Sequence, residues 1–236
     1  MVWTLVNVAL LGLLPLLFAE CISFVARRPY LGLPGFAFSP VIAGLTLGQD
    51  SILILFFISA AYLLGRQKAG VRGRLGVGFL ATVKFQIMLI LALLLVVSRK
   101  FRLIGGFFAG CVFLALASVL VTGGSGIIEY SRFVHRFDLH NGYGNVNPAS
   151  MMNWRGVLAG IGWEDHLRLY STIGSAILIA LGIVASQWVR ATKNQELGFS
   201  LYLAIALAAS PYNFFQDAAI LLLSIFLVID LVVKRR

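Results

Sequence analysis

"TLGQDSILIL" (residues 46–55) places Gly48, Gln49 and Asp50 between two apolar runs, "PVIAGLTL" (40–47) and "ILILFFI" (52–58). One uninterrupted helix over 36–64 would carry an amide and a carboxylate through hydrocarbon, where such groups are costly. Two short helices, Phe36–Leu47 and Ser51–Leu64, would instead meet in a V with Gly48-Gln49-Asp50 at its tip. "ATVKFQIMLI" (81–90) poses the same choice, with Lys84 and Gln86 inside an apolar run. Its broken form has arms Leu75–Val83 and Phe85–Val97.

The rest of the chain frames the choice. Of 236 residues, 60% are hydrophobic and 12% charged, and the mean hydropathy is +0.93. Further apolar runs cover Trp3–Ala26, Leu103–Val121, Tyr170–Val189, Leu197–Ala209 and Asp217–Val233. Several have the length that crosses about 30 Å of hydrocarbon. They are continuous rather than alternating, which excludes a β-barrel. The sequence therefore predicts an all-α fold, a polytopic transmembrane helical bundle forming a single domain over 1–236. Thr122–Leu169 is rich in charges and amides and reads as one long loop with short surface helices. The first run has no basic segment ahead of it, so no cleavable signal is expected.

The net charge of +10 does not point to nucleic acid. The basic residues stand at the ends of apolar runs, where the positive-inside rule accounts for them. That rule also decides between the two topologies. With unbroken spans, the short basic loops divide between both faces. With both runs broken, the basic groups at 27–28, 66–74, 99–102, 190–193 and 234–236 all share one face. The broken arrangement is predicted, with the 122–169 loop extracytoplasmic. A half-helix of about 10 residues rises only ~15 Å, so it must be sheltered by protein or line a cavity. Gln49, Asp50, Lys84 and Gln86 then point to one extracytoplasmic cavity, covered by the long loop and the turn Ser210–Asp217. Cys21 and Cys111 lie inside apolar runs and read as small core residues. His135, His140 and His166 lack metal-ligand spacing, so no metal is expected.

Four stretches in order, "SPVIAGLTLGQDSILILFFISAAYLLGR", "RGRLGVGFLATVKFQIMLILALLLVVSRKFR", "NPASMMNWRGVLAG" and "ASPYNFFQDAAILLL", resemble glycosyltransferase family 87. The residues that carry the resemblance are Gly48, Gln49, Gly76, Gly78, Lys84, Arg99, Lys100, Arg102, Asn147, Pro148, Met152, Asn153, Arg155 and Gly156. The resemblance implies a GT-C fold in the plasma membrane. It implies transfer of a hexose, typically mannose, from a polyprenyl-phosphate donor to a glycolipid or glycan acceptor, with no cofactor. It also implies a catalytic Asp in a loop that would precede Trp3, so that this chain corresponds to the C-terminal part of such an enzyme.

Transfer from a lipid phosphate wants cations where charge develops on the leaving phosphate, and hydrogen-bonding groups for hydroxyls. Lys84 lies about nine residues from either end of 75–97, too deep to snorkel easily, and is the candidate phosphate contact. Arg155 either grips the same phosphate or bonds loop carbonyls. Gln49 is assigned to sugar or acceptor hydroxyls, and Asn153 joins it. Asp50 either caps the helix beginning at Ser51 or faces the site; Asp217 poses the same alternative before the last helix. Gln86 serves either an interhelical hydrogen bond or the cavity. Glu20 and Asp230 are expected to pair near basic helix ends. The rival from another class is a transporter or flippase of a lipid-linked anion, since broken helices around a midplane Lys suit that as well. A non-catalytic membrane remnant is the third reading.

Overall fold

The computed structural model describes residues 2–27, 35–66, 84–98, 101–139, 148–163, 166–192 and 194–234. Ten α-helices appear among them, and no strand. They are α1 (Val2–Cys21), α2 (Ser23–Arg27), α3 (Ser39–Thr46), α4 (Ser51–Arg66), α5 (Phe85–Val97), α6 (Phe101–Leu139), α7 (Trp154–Gly160), α8 (Leu167–Thr192), α9 (Gln195–Ala209) and α10 (Leu221–Lys234). A 3-10 segment, Phe215–Ile220, leads directly into α10. Three stretches are long and apolar enough to cross a membrane: Ile104–Phe133, Leu167–Ala191 and Phe215–Lys234. The all-α membrane bundle read from the apolar runs is what the chain forms.

The break at Gly48-Gln49-Asp50 is real, and its chemistry is local. Pro40 sits in the first turn of α3, where its missing N–H costs nothing. Gly48 has φ +62°, a conformation that favours glycine. The Gln49 N–H then reaches Gly44 O at 2.9 Å and the Gly48 N–H reaches Leu45 O at 3.3 Å. That pair of bonds is a Schellman stop, which satisfies the last carbonyls of α3. Asp50 O accepts the Ile54 N–H at 3.0 Å, so Asp50 holds the N-cap position of α4. The first arm of the other expected V, Leu75–Val83, lies outside the described residues.

One expectation is corrected. The polar stretch from Thr122, read as loop, continues helically to Leu139, with a single backbone break at Gly123 (φ 72°, ψ 171°). Polarity there reports exposure, not backbone form. Ile127, Ile128, Glu129 and Arg132 are all compatible with a helix, and the Thr122 hydroxyl back-bonds Ser118 O at 2.8 Å. Beyond the segment 140–147, the chain makes a 3-10 turn at Pro148–Ser150 and then α7.

The core forms where α9 packs on α5, α8 and α10, and where α1 packs on α4. Leu203 and Ala206 of α9, Leu94 of α5 and Leu223 and Leu227 of α10 are buried there. Small residues permit close approach. The Ser200 and Ser224 hydroxyls each donate to the other's carbonyl at 3.3 Å. A Cβ on Gly182 would stand 2.9 Å from Leu94 and 3.0 Å from Ile205. By contrast, α6 and α8 bury only 22% of their most apolar windows, against 61% for the last span. Their apolar faces turn outward, as they do in helices that meet lipid.

The bundle has two chemically distinct ends. At one end, Lys234 of α10 meets Glu196 of α9 at 2.9 Å and Asp230 at 2.5 Å, and Arg190 of α8 reaches Val97 O of α5 at 3.5 Å. Asp230 thus pairs near a basic helix end, as expected. At the other end lie the starts of α4, α5 and the last span, together with the α3–α4 break and the end of α9. Lys234 and Arg190 thus stand at the opposite end from Asp50, Lys84 and Asp217.

Candidate functional site

The polar end is organised by Asp217. It sits within the 3-10 segment that follows the turn "SPYNFF", and it is 1% exposed. Its Oδ1 accepts from the Ser51 hydroxyl at 2.6 Å and from the Lys84 ammonium. Its Oδ2 accepts the Phe214 N–H at 3.0 Å. Burying a carboxylate is tolerable only when it is paired and hydrogen-bonded, and here both oxygens are engaged. Three separate pieces of chain are thereby fixed to each other: the start of α4, the start of α5 and the entry to the last span.

Lys84 has a second carboxylate. Its Nζ is 3.3 Å from Asp50 Oδ1, with Lys84 17% and Asp50 31% exposed. The set carries one positive and two negative formal charges. Asp217 is enclosed, with donors on both of its oxygens. Asp50 faces the accessible side and is held by a single long contact among the described residues. Gln49, half-buried beside it, is fixed through its backbone: Asn7 Nδ2 of α1 donates to Gln49 O at 3.0 Å. Asn7 is fully buried. Gln86 is half-buried on α5, two residues from Lys84, and takes no part in these hydrogen bonds.

Arg155 and Asn153 form a second group. Asn153 caps α7, its Oδ1 accepting the Gly156 N–H at 3.0 Å. Its amide donates to Ser210 O at 2.7 Å and to Pro211 O at 2.9 Å. Only glycine fits at 156, since a Cβ would stand 1.9 Å from Met151 O. The Met152 N–H donates to Asn213 O at 2.8 Å, and Met151 makes an antiparallel bridge with Phe214. Arg155 is buried, with its guanidinium carbon 5.3 Å from the centre of the Tyr212 ring. Asn213 donates to Leu207 O and so closes the end of α9.

Phe214 joins the two groups: it bridges Met151 on one side and donates to Asp217 on the other. Lys84, Asp50 and Asp217 come together directly. Asn153 and Arg155 are stitched to the same turn, and Gln49 borders the first group as the chain neighbour of Asp50, its carbonyl held by Asn7. Sequence reasoning missed Ser51, Asn7 and Asn213. Asn7 left a usable signal, because an amide buried within an apolar run is costly. Ser51 and Asn213 left none, since both types are common beside turns. Among the described residues, no group of three or more His, Cys, Asp or Glu gathers as a metal site would require.

The family model for glycosyltransferase family 87 matches residues 1–211. The match includes Gln49, Asp50, Lys84, Asn153 and Arg155, and it ends before Asp217. No curated protein matches the chain, and no solved structure does.

Proposed function

Because the chain belongs to glycosyltransferase family 87, a family of membrane glycosyltransferases, we propose that it transfers a hexose, mannose in the first instance, from a polyprenyl-phosphate donor to a glycolipid or glycan acceptor. The polar end of the bundle is its site and faces the extracytoplasmic side of the plasma membrane. The acceptor oxygen forms a bond to the anomeric carbon while the bond from that carbon to the phosphate oxygen breaks. The electron pair leaves with the lipid phosphate, and the proton of the acceptor hydroxyl passes through a general base to that phosphate or to solvent.

Lys84 and Arg155 hold that phosphate and offset its growing charge. Gln49, Gln86 and Asn153 bind hydroxyls of the sugar or the acceptor. Asp217 holds Lys84 and the start of α4 in place, and Asp50 borders the bound donor. The observation that carries this reading is the junction at Phe214. The Lys84 group and the Asn153–Arg155 loop, far apart in sequence, meet on one turn at one end of the bundle. A lysine paired with the carboxylate at the α3–α4 break, and joined through one turn to a loop bearing a buried arginine, suits a lipid-borne phosphate.

The test is transfer of labelled hexose from a polyprenyl-phosphate hexose in detergent by the protein as expressed. Transfer is expected, with Lys84→Gln and Arg155→Ala each lowering it by about 100-fold, the scale of losing one transition-state donor. Unchanged rates in both variants would overturn the assignment. A broken helix also suits a flippase, and detergent separates the two. Group transfer needs no bilayer, whereas transport without compartments has no product.

A further inference from the structure

The two carboxylates on Lys84 are unequal. Asp217 is 1% exposed and accepts from Ser51, Lys84 and the Phe214 N–H. Moving it would unpair three groups. Asp50 is 31% exposed, and its one side-chain contact among the described residues is Lys84 at 3.3 Å. Its backbone is already held by the Schellman stop before it and the Ile54 bond after it. Rotation of its side chain away from Lys84 therefore breaks one ion pair and disturbs no helix.

Charge sharpens the point. With both carboxylates in place, the group is formally −1, which repels an incoming phosphate at short range in a half-buried setting. With Asp50 turned away, Lys84 and Asp217 balance, and one face of the ammonium is open. A lysine ammonium has three donors. Asp217 takes one and Asp50 a second, and the second is freed for a ligand oxygen when Asp50 turns away.

We propose that Asp50 is a built-in stand-in for the donor's phosphate: it occupies Lys84 in the unliganded protein and is displaced when the lipid phosphate binds. This rests on the reading that Lys84 contacts phosphate. Its consequence has an unusual sign, in that removing a site residue strengthens binding. If the Asp50-released form is about one tenth of the unliganded population, locking it open tightens the apparent Kd about tenfold.

The probe is farnesyl phosphate, a short polyprenyl phosphate without sugar, titrated against the whole protein in detergent. Asp50→Asn should bind it about tenfold more tightly than the parent. Asp50→Ser, which keeps a residue able to cap α4, guards against a folding artefact and should do the same. Asp50→Glu, which keeps the anion, should stay near the parent. Lys84→Gln should bind at least tenfold more weakly. If Lys84→Gln weakens binding but Asp50→Asn and Asp50→Ser do not tighten it, the stand-in role is overturned and the phosphate role of Lys84 stands. If Lys84→Gln binds like the parent, both fall together.

Discussion

The last span carries a lysine-centred ion group at each end. Asp217 at its start binds Lys84, which also meets Asp50. Lys234 at its finish meets Asp230 and Glu196. The 17 residue steps from Asp217 to Lys234 rise about 26 Å at 1.5 Å per residue, close to the thickness of a hydrocarbon core. Both groups hold one ammonium between two carboxylates, so chemistry alone does not separate them. Construction does. Lys234 and Asp230 are one helical turn apart on the same helix, and Glu196 reaches them from the start of α9. Lys84, Asp50 and Asp217 come from three elements, one of them beginning at a broken membrane helix. A local ion pair anchors a helix end. A group assembled from distant segments around a half-open carboxylate is the one we propose holds a ligand.

The largest expected effect breaks the comparison if it fails. Lys84→Met should lower hexose transfer by about 100-fold or more, while Lys234→Met should change it less than about threefold. Initial rates at saturating donor, measured for both variants in one detergent, decide this. Equal losses would mean that both groups serve only to hold the bundle together. Lys84→Arg keeps the charge but changes its shape, and should recover part of the rate.

Stability gives the second contrast. Asp217→Asn removes the charge that two polar groups and an ammonium share, at a site 1% exposed. A hydrogen bond to a charged group is worth about 1.5–3 kcal/mol, so a loss of about 2–3 kcal/mol is expected. Asp230→Asn leaves Lys234 its contact with Glu196, and the loss should be about 1 kcal/mol. Midpoints of SDS-induced unfolding in mixed micelles would show the difference. A larger loss at Asp230 would put the structural weight at the basic end instead.

Asn153→Ala probes the loop that joins the polar end from outside the Lys84 group. It removes two bonds to carbonyls of the 210–211 turn, each worth about 1 kcal/mol, and an N-cap worth about 1 kcal/mol. The loop 148–163 should become several-fold more sensitive to protease, and donor affinity should fall. Asn153→Asp keeps the cap but loses the donors, so it separates the two contributions. If Asn153→Asp behaves like the parent, the carbonyl bonds are not what holds the loop.

These contrasts also mark what the sequence could convey. The helices were legible because apolar runs of that length have few alternatives in a membrane. The break at Gly48-Gln49-Asp50 was legible because groups that hydrocarbon rejects stood between two apolar runs, and because breaking the run gathers the basic loops on one face. The helix across 122–139 was hidden, since polarity reports exposure and says little about backbone hydrogen bonding. Lys84 stood out by its depth, but its principal partner did not. Asp217 is 133 residues away, and a single sequence carries no trace of that pairing. Asp50 and Asp217 were each readable as helix caps, and each does sit at one: Asp50 at the N-cap position of α4, Asp217 with its carboxylate on the Phe214 N–H that opens the 3-10 segment. Asp217's buried contact with Lys84 follows from tertiary packing, as does the half-open position of Asp50.

The smallest expected effect lies within the basic group and sharpens its reading as an anchor. Lys234 is 36% and Glu196 18% exposed where they meet, while Asp230 is fully buried. Glu196→Gln keeps a group able to accept from Lys234 and leaves the Asp230 pair in place. Partly exposed pairs are worth about 0–1 kcal/mol, so the unfolding midpoint should shift by no more than about 0.5 kcal/mol, with transfer unchanged. Salt should erase even that, because exposed pairs are screened within about 10 Å at 0.1 M. The polar group predicts the reverse pattern for Asp50→Asn: little change in unfolding and a marked change in lipid-phosphate affinity. A loss of transfer in Glu196→Gln would mean that the basic end communicates with the site through α9, whose far end is closed by Asn213. The two groups would then be coupled along one helix rather than separate in role.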